Sequence, residues 1–347
     1  TGEATISGSL TFTPANWDTP QTVTVTGVDD LTVDGAQTES ITVTIIDEIS
    51  DNDFDAVADQ TVSVDITDND VAGFTVDQLD GSVEVDESGT TDTFTVVLDA
   101  QPTSDVILTL TSSDTGEATV NGPLTFTPAN WDTPQTVTVT GADDGSVVDG
   151  DQTSLITISI DDANSNDSFD AVTDQTVSVG TTDDDVAGFT IAETNGSTEV
   201  DESGTTDIFT IVLDAQPTSD VLLSLSINDN SEASVSSSLT FTPINWDSPQ
   251  TVTVTGLDEE TVDGIQTSTV TISVVDAVSN DSFDDVADQT VSVSTTDDDV
   301  AGFTVVEFGG STEVDESGTT DIFTVVLDAQ PTSDVVLTVT SSDTGEA

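Results

Sequence analysis

The sequence predicts an all-β protein, built as a tandem array of two-sheet β-sandwiches. Three observations carry that expectation. Apolar and polar residues alternate with the period of a half-buried strand: Thr22-Val23-Thr24-Val25-Thr26 does so, as do Phe94, Val96 and Leu98 against Thr93, Thr95 and Val97. No stretch has a comparable helical period; Val, Ile, Thr and Phe fill the runs, while Asp, Asn, Gly, Ser and Pro gather between them. Finally, TFTPANWDTPQTVTVTG at 11–27 recurs at 125–141 and, slightly changed, at 240–256, so that Trp17, Trp131 and Trp246 lie 114 and 115 residues apart. That period is too long for a solenoid coil or a propeller blade and fits a whole small sandwich.

Within one period the strands can be placed in order. The run GFTV at 73–76 follows an acidic stretch, and SVEV at 82–85 alternates strictly before a Glu-Ser-Gly turn. TDTFTVVL at 91–98 ends at Asp-Ala-Gln-Pro, VILTLT at 106–111 ends at Ser-Ser-Asp-Thr-Gly, and LTFT at 124–127 runs into the Pro- and Asn-rich Trp loop. QTVTVT at 135–140, SLITISI at 154–160 and QTVSV at 175–179 complete the set, about seven or eight strands in two sheets.

The marker VAGFT begins at Val71, Val186 and Val300, each time after an acidic triplet or its Asn-containing variant. It sets complete domains at 71–185 and 186–299, with the later part of a repeat at 1–70 and the earlier part at 300–347. TGEA opens the sequence and closes it at 344–347, so the two partial ends together make one period. Two readings follow. Either the chain is an internal piece of a longer covalent array, or strands of 300–347 in one copy complete 1–70 of the next by strand addition.

Composition narrows the function. The chain carries 69 Asp plus Glu, with no Lys, Arg, His, Cys, Met or Tyr. The usual nucleophile–base pairs, thiolate metal sites, disulfides and Lys–Asn cross-links are excluded, most enzyme chemistries go with them, and no enzyme is expected. Without a basic patch, nucleic acid and anionic membrane are poor partners, and no apolar run is long enough to span a bilayer. Asp114-Thr115-Gly116 and Asp343-Thr344-Gly345 match an aspartic-protease motif but read as polar turns. The Trp of each PxNW loop reads as a plug under that loop, and Phe54, Phe169 and Phe283 as core anchors or lateral contacts. Sequons such as Asn166-Asp167-Ser168 and Asn280-Asp281-Ser282 arise readily in so Asn- and Ser-rich a chain.

The acids themselves are clustered. The first complete domain has Glu87 on an early loop, Asp143, Asp144 and Asp149 after a late strand, and Asp183, Asp184 and Asp185 at its end. The second has Glu202, then Asp258, Glu259, Glu260 and Asp263, then Asp297, Asp298 and Asp299. The leading stretch shows Asp29, Asp30, Asp34, Asp68, Asn69 and Asp70, and the trailing one retains Glu316. Isolated acids such as Asp99 or Asp105 fit a solvated surface. The triplets point to calcium, because like charges a few ångströms apart cost about 1 kcal/mol per pair even in water and more near a protein. With no side-chain cation in the chain, a metal ion is the compact counter-charge left, and Ca2+ takes clustered carboxylates on flexible loops.

The motif V-x-E-S-G at Val85 to Gly89, TFTPANW followed by QTVTVTG-x-DD, and the terminal DDDVAG occur in that order and together resemble the Calx-beta domain, end to end along the chain. The resemblance implies a seven-stranded Greek-key, immunoglobulin-like sandwich with calcium held by loops at one end, near the junction with the next domain. It also implies a further acid from mid-domain, Glu117 or Asp114, although the next copy has Asn228-Asp229-Asn230-Ser231-Glu232 there. Asn69 keeps an oxygen but loses a charge, so the first junction is expected to bind more weakly.

Position suggests use. An ion at DDD, directly before VAGF, would fix the angle of successive sandwiches and give an end-to-end rod: a calcium-stiffened extracellular filament, adhesin stalk or biofilm matrix fibre of a bacterial cell surface, whose partners are calcium and neighbouring repeats or copies. The alternative is a calcium-dependent adhesion module that binds glycan or another cell surface. A calcium sensor comes third, since no switchable partner domain is visible.

Overall fold

In a computed structural model, which describes residues 2–79 and 81–342, the chain is all-β. The copy of TGEA at 344–347 and the second D-T-G motif lie outside the described residues. Among those residues the helical turns are short 3₁₀ segments such as Asp167–Phe169 and Asp281–Phe283. The chain divides into two compact units, Thr1–Asp144 with Asp151–Asp184, and Gly145–Gly150 with Asp185–Ala347.

The first unit contains a complete sandwich. Its five-stranded sheet runs Leu124–Phe126, Val106–Ser112, Gln152–Ile160, Gln175–Thr182, Val83–Asp86, and its four-stranded sheet runs Ala118–Val120, Gln135–Gly141, Thr91–Leu98, Phe74–Asp77. All eight expected runs are strands. The ninth, Ala118–Val120, is too short to show alternation and forms by pairing with the end of Gln135–Gly141. One pairing is parallel, Val83–Asp86 on Gln175–Thr182, and it brings the ends of two strands distant in sequence out side by side. Inward positions of both sheets, Phe94, Phe126, Leu108, Ile156 and Ile158, are fully buried.

The second unit repeats the plan. The five-stranded order is Thr198–Asp201, Gln289–Thr296, Gln266–Val274, Val221–Ile227, Ser238–Phe241; the four-stranded order is Phe189–Glu193, Thr206–Leu213, Gln250–Gly256, Ala233–Val235. Phe209, Phe241, Ile211, Leu223 and Ile272 fill its core.

Two questions raised by the sequence are answered by burial. Phe169 and Phe283 are core residues, and Trp131 and Trp246 pack half-buried against the cores as plugs. Asn166 and Asn280 are buried, with their amide groups donating to Thr103 Oγ1 and Thr218 Oγ1, both at 2.6 Å, so they lock the Phe loop and their nitrogens are not presented to solvent. In the partial repeats the counterparts are uncovered: Trp17 and Phe54 are exposed, as is Phe303, which matches the buried Phe74 and Phe189. These stretches form hairpins, Gln37–Val43 with Gln60–Ile66 and Phe303–Glu307 with Phe323–Leu327.

Candidate metal centre

The second complete sandwich, which lies with its acidic loops wholly within the second unit, shows how the fold gathers carboxylates. Strands Thr198–Asp201 and Gln289–Thr296 are parallel, with Asp201 opposite Thr296. Glu202 and Asp297 therefore leave the sheet together, and the Glu202 N–H donates to Thr296 O at 3.1 Å. From the other sheet, Gln250–Gly256 leads into Glu259 and Asp263. Ala233 pairs with Gly256, and the Leu257 N–H donates to Glu232 O at 2.9 Å, which sets Glu232 beside them.

Gly256 allows the two sheets to close at this end. A Cβ at that position would lie 2.1 Å from the Asp201 carbonyl oxygen, so no larger residue fits without moving the strand end that presents Glu202. Gly141 stands in the same relation to Asp86 O, at 2.0 Å.

Two groups of acids result. One oxygen from each of Glu202, Asp297 and Asp299 lies within 4.8 Å of the others, and so do oxygens of Glu202, Glu259 and Asp263. Glu202 belongs to both. Two oxygens on opposite sides of a calcium ion are about 4.6–5.2 Å apart, given Ca–O distances of ~2.3–2.6 Å, so each group is compact enough to share one ion.

The electrostatics fit a cation. Glu202 is fully buried, and neither of its carboxylate oxygens has a hydrogen-bond donor; buried oxygens of Glu232, Asp263 and Asp299 also lack one. A buried carboxylate without a donor or counter-charge is strongly unfavourable. Burial first, then the charges of Asp297, Glu232, Glu259 and Asp263, push Glu202 up to about 7. Burial and neighbouring carboxylates also raise Glu232, Glu259 and Asp299. Asp297 is the exception. Its Oδ2 accepts the N–H groups of Gly264 at 2.7 Å and Asp263 at 2.9 Å, its Oδ1 accepts that of Asp299 at 2.8 Å, and these bonds hold its carboxyl below the usual range.

The structure brings only some of the remaining sequence candidates into such groups. In the first sandwich Glu87 and Glu117 are buried, and Glu87 brings an oxygen within 4.8 Å of one on Glu117 and of one on Asp183. Asp144, Asp149 and Asp185 are half-buried, whereas Asp143, Asp184, Asp258 and Asp298 are exposed. Asp258 and Asp298 belong to neither group found in the second sandwich. Asp114 is exposed and accepts the Gly116 N–H at 2.9 Å, a turn-forming role, which leaves Glu117 as the mid-domain acid.

The leading stretch preserves the bracket. Asp68 Oδ2 accepts the N–H groups of Asp34 at 3.0 Å and Gly35 at 2.8 Å, and its Oδ1 accepts that of Asp70 at 2.7 Å. Asp30, Asp34, Asp68 and Asp70 line one hollow with Glu3, while Asp29 is exposed and accepts the Asn69 side-chain amide at 3.2 Å. Residues 1–70 contain no counterpart of Glu202. Glu316 is exposed, without the companion loops in 300–347.

Two acids escape the sequence reading. Glu232 replaces Glu117 in the second sandwich, and Glu3 holds that position in the leading stretch, where the Val28 N–H donates to Glu3 O at 2.8 Å. The signal was the dipeptide Glu-Ala, present as Glu3-Ala4, Glu117-Ala118 and Glu232-Ala233, which fixes the register where the flanking residues differ.

No family model and no curated protein sequence matches the chain. Among solved structures it is similar to the calcium binding domain CBD12 of CALX1.1, at 19% identity over 58% of this chain and 79% of that one, with a TM-score of 0.24. Domains 4–9 of the surface layer protein SbsC match at 19% identity over 85% of this chain and 39% of that one, with a TM-score of 0.26. An I-band fragment from titin matches at 9% identity over 76% and 74%, with a TM-score of 0.32.

Proposed function

We propose that the chain is a run of calcium-binding sandwiches whose role is structural: a segment of an extracellular filament, stalk or matrix fibre in which bound Ca2+ stiffens the joints between repeats. The observation that carries this reading is Glu202, a fully buried carboxylate with no donor on either oxygen, set among five other acids in a chain without a side-chain cation. Carboxylates arranged so favour a hard divalent ion with several oxygen ligands, and calcium is the one that tolerates loops of this irregularity. Glu202, Glu232, Glu259, Asp263, Asp297 and Asp299 would hold it, with Glu202 shared between two positions.

Repetition favours length over a specialised pocket. The composition lacks the His, Cys and Lys on which the usual nucleophile–base pairs are built, and we propose no catalysis. An exterior rich in millimolar calcium suits sites assembled from loops, whose affinities in extracellular modules are modest.

The test is small-angle scattering of the whole chain in millimolar calcium and after chelation, with calorimetry on the same samples. Calcium uptake together with a more extended, stiffer particle supports the reading. Uptake with an unchanged scattering profile removes the strut and leaves only the ion site.

A further inference from the structure

The loop that carries Glu259 and Asp263 has a second engagement. Its residues Thr261–Val262 form a parallel ladder with Gln330–Pro331 of the following repeat, and the Gln330 N–H donates to Glu260 O at 2.6 Å. The contact recurs twice. Thr32–Val33 pairs with Gln101–Pro102, with the Gln101 N–H on Leu31 O at 2.7 Å, and Val147–Val148 pairs with Gln216–Pro217, with the Gln216 N–H on Ser146 O at 2.5 Å.

In the two copies that meet a complete sandwich, the loop valine is buried: Val33 is 8% exposed and joins the first unit's core, and Val148 is 6% exposed and joins the second's. The receiving strand is braced from behind. Gln101 Nε2 donates to Pro128 O at 2.7 Å and Gln216 Nε2 to Pro243 O at 3.2 Å, which ties each Gln-Pro strand to the loop of Trp131 or Trp246. An acid follows the valine at once in every copy, as Asp34, Asp149 and Asp263. Successive side chains of an extended segment point to opposite sides. One Val-Asp step can thus seat a plug in the next repeat and turn a carboxylate back toward its own acidic cluster.

We propose that this loop is the docking element through which one repeat engages the next, and that its partner is a sandwich presenting a braced Gln-Pro strand. We further propose that docking and cation binding are reciprocally coupled, a half of the inference that rests on the calcium reading above. A single short segment serves both events, so whichever comes first orders it for the other. By linkage each strengthens the other by the same factor.

The experiment uses the full chain and Ca2+. Gln330→Pro removes the donating N–H in an exposed stretch outside both complete sandwiches, Gln330→Ala keeps it, and Val262→Ser weakens the contact from the loop side. Calorimetric titration is expected to show one class of sites weakened by about five-fold or more in Gln330→Pro and Val262→Ser, with Gln330→Ala close to the unmodified chain. Calcium is expected to slow hydrogen exchange at the Gln330 amide. Unchanged affinities in both variants, with normal uptake by the unmodified chain, would overturn the coupling and leave the calcium reading standing. No uptake by the unmodified chain overturns the calcium reading and the coupling with it. Unprotected Gln101 and Gln216 amides would overturn the docking itself.

Discussion

Asp263 and Asp297, 34 residues apart in the chain, are joined by a hydrogen bond from the Asp263 N–H to Asp297 Oδ2 at 2.9 Å. Asp34 and Asp68 repeat the bond at 3.0 Å. Asp297 therefore orders the acidic loop through backbone donors before any ion arrives. Asp297→Ala is expected to destabilise the protein in chelator as well as in calcium, through loss of the backbone hydrogen bonds that its carboxylate accepts. Asp299→Asn should leave the metal-free melting temperature nearly unchanged or higher and reduce only the gain on adding calcium. Melts of both variants in both buffers separate the roles.

Calcium should stabilise the native chain. A ligand bound only to the folded state adds about 2.7 kcal/mol per independent site at 100 times its dissociation constant. Scanning calorimetry from chelator into rising calcium should show a progressive increase in melting temperature; a transition that stays put would argue that these carboxylates merely solubilise the chain.

Glu202→Gln should act with opposite signs in the two states. Metal-free, the change removes a buried charge from a cluster of like charges and is expected to raise stability at pH 8. With calcium, it removes the ligand common to both groups and should abolish most of the ion's contribution. Destabilisation of similar size in both buffers would mean that Glu202 serves packing alone.

The pH dependence of the metal-free protein follows from the same residue. Its folded-state value is raised to about 7 from 4.5, so between those values the native state holds a proton that the unfolded chain has released. The stabilisation is complete below about pH 4.5 and is lost as pH rises through 7. Denaturant unfolding at pH 5 and pH 8 without metal should show the lower stability at pH 8. Calcium competes with that proton, so its affinity should increase across the same window.

Phe283→Ala should cost about 3–5 kcal/mol, as for a fully buried aromatic. Phe54→Ala, at an exposed counterpart in the leading stretch, should stay within about 0.5 kcal/mol. Urea titration of the two variants provides the comparison.

Much of this architecture was legible because alternation in a half-buried strand is written directly into Thr-Val-Thr-Val runs. The convergence of the acidic loops was expected from the resemblance, but the pairing that produces it was not. That convergence depends on the parallel pairing of Thr198–Asp201 with Gln289–Thr296, and parallel partners leave no local mark in sequence. The acidic triplets were read as units of three, yet in an extended tail neighbouring residues face opposite sides. Asp297 and Asp299 turn inward and Asp298 outward. The same alternation sets Asn69 at an exposed position, where its amide donates to Asp29. Glu232 was obscured because Asn228 to Ser231 differ from the first copy, while the Glu-Ala step that pins the strand persists.

Gly256 gives the chain an unexpected form of control. A single methyl group there would meet the backbone of Asp201 and shift the strand end that presents Glu202, with no carboxylate altered and net charge and solubility untouched. Gly141 offers the same handle one repeat earlier. On the strut reading, individual joints could be slackened one at a time by alanine while their neighbours stay taut. Compliance along such a fibre would then be programmed by position in the gene, independently of how much calcium surrounds it.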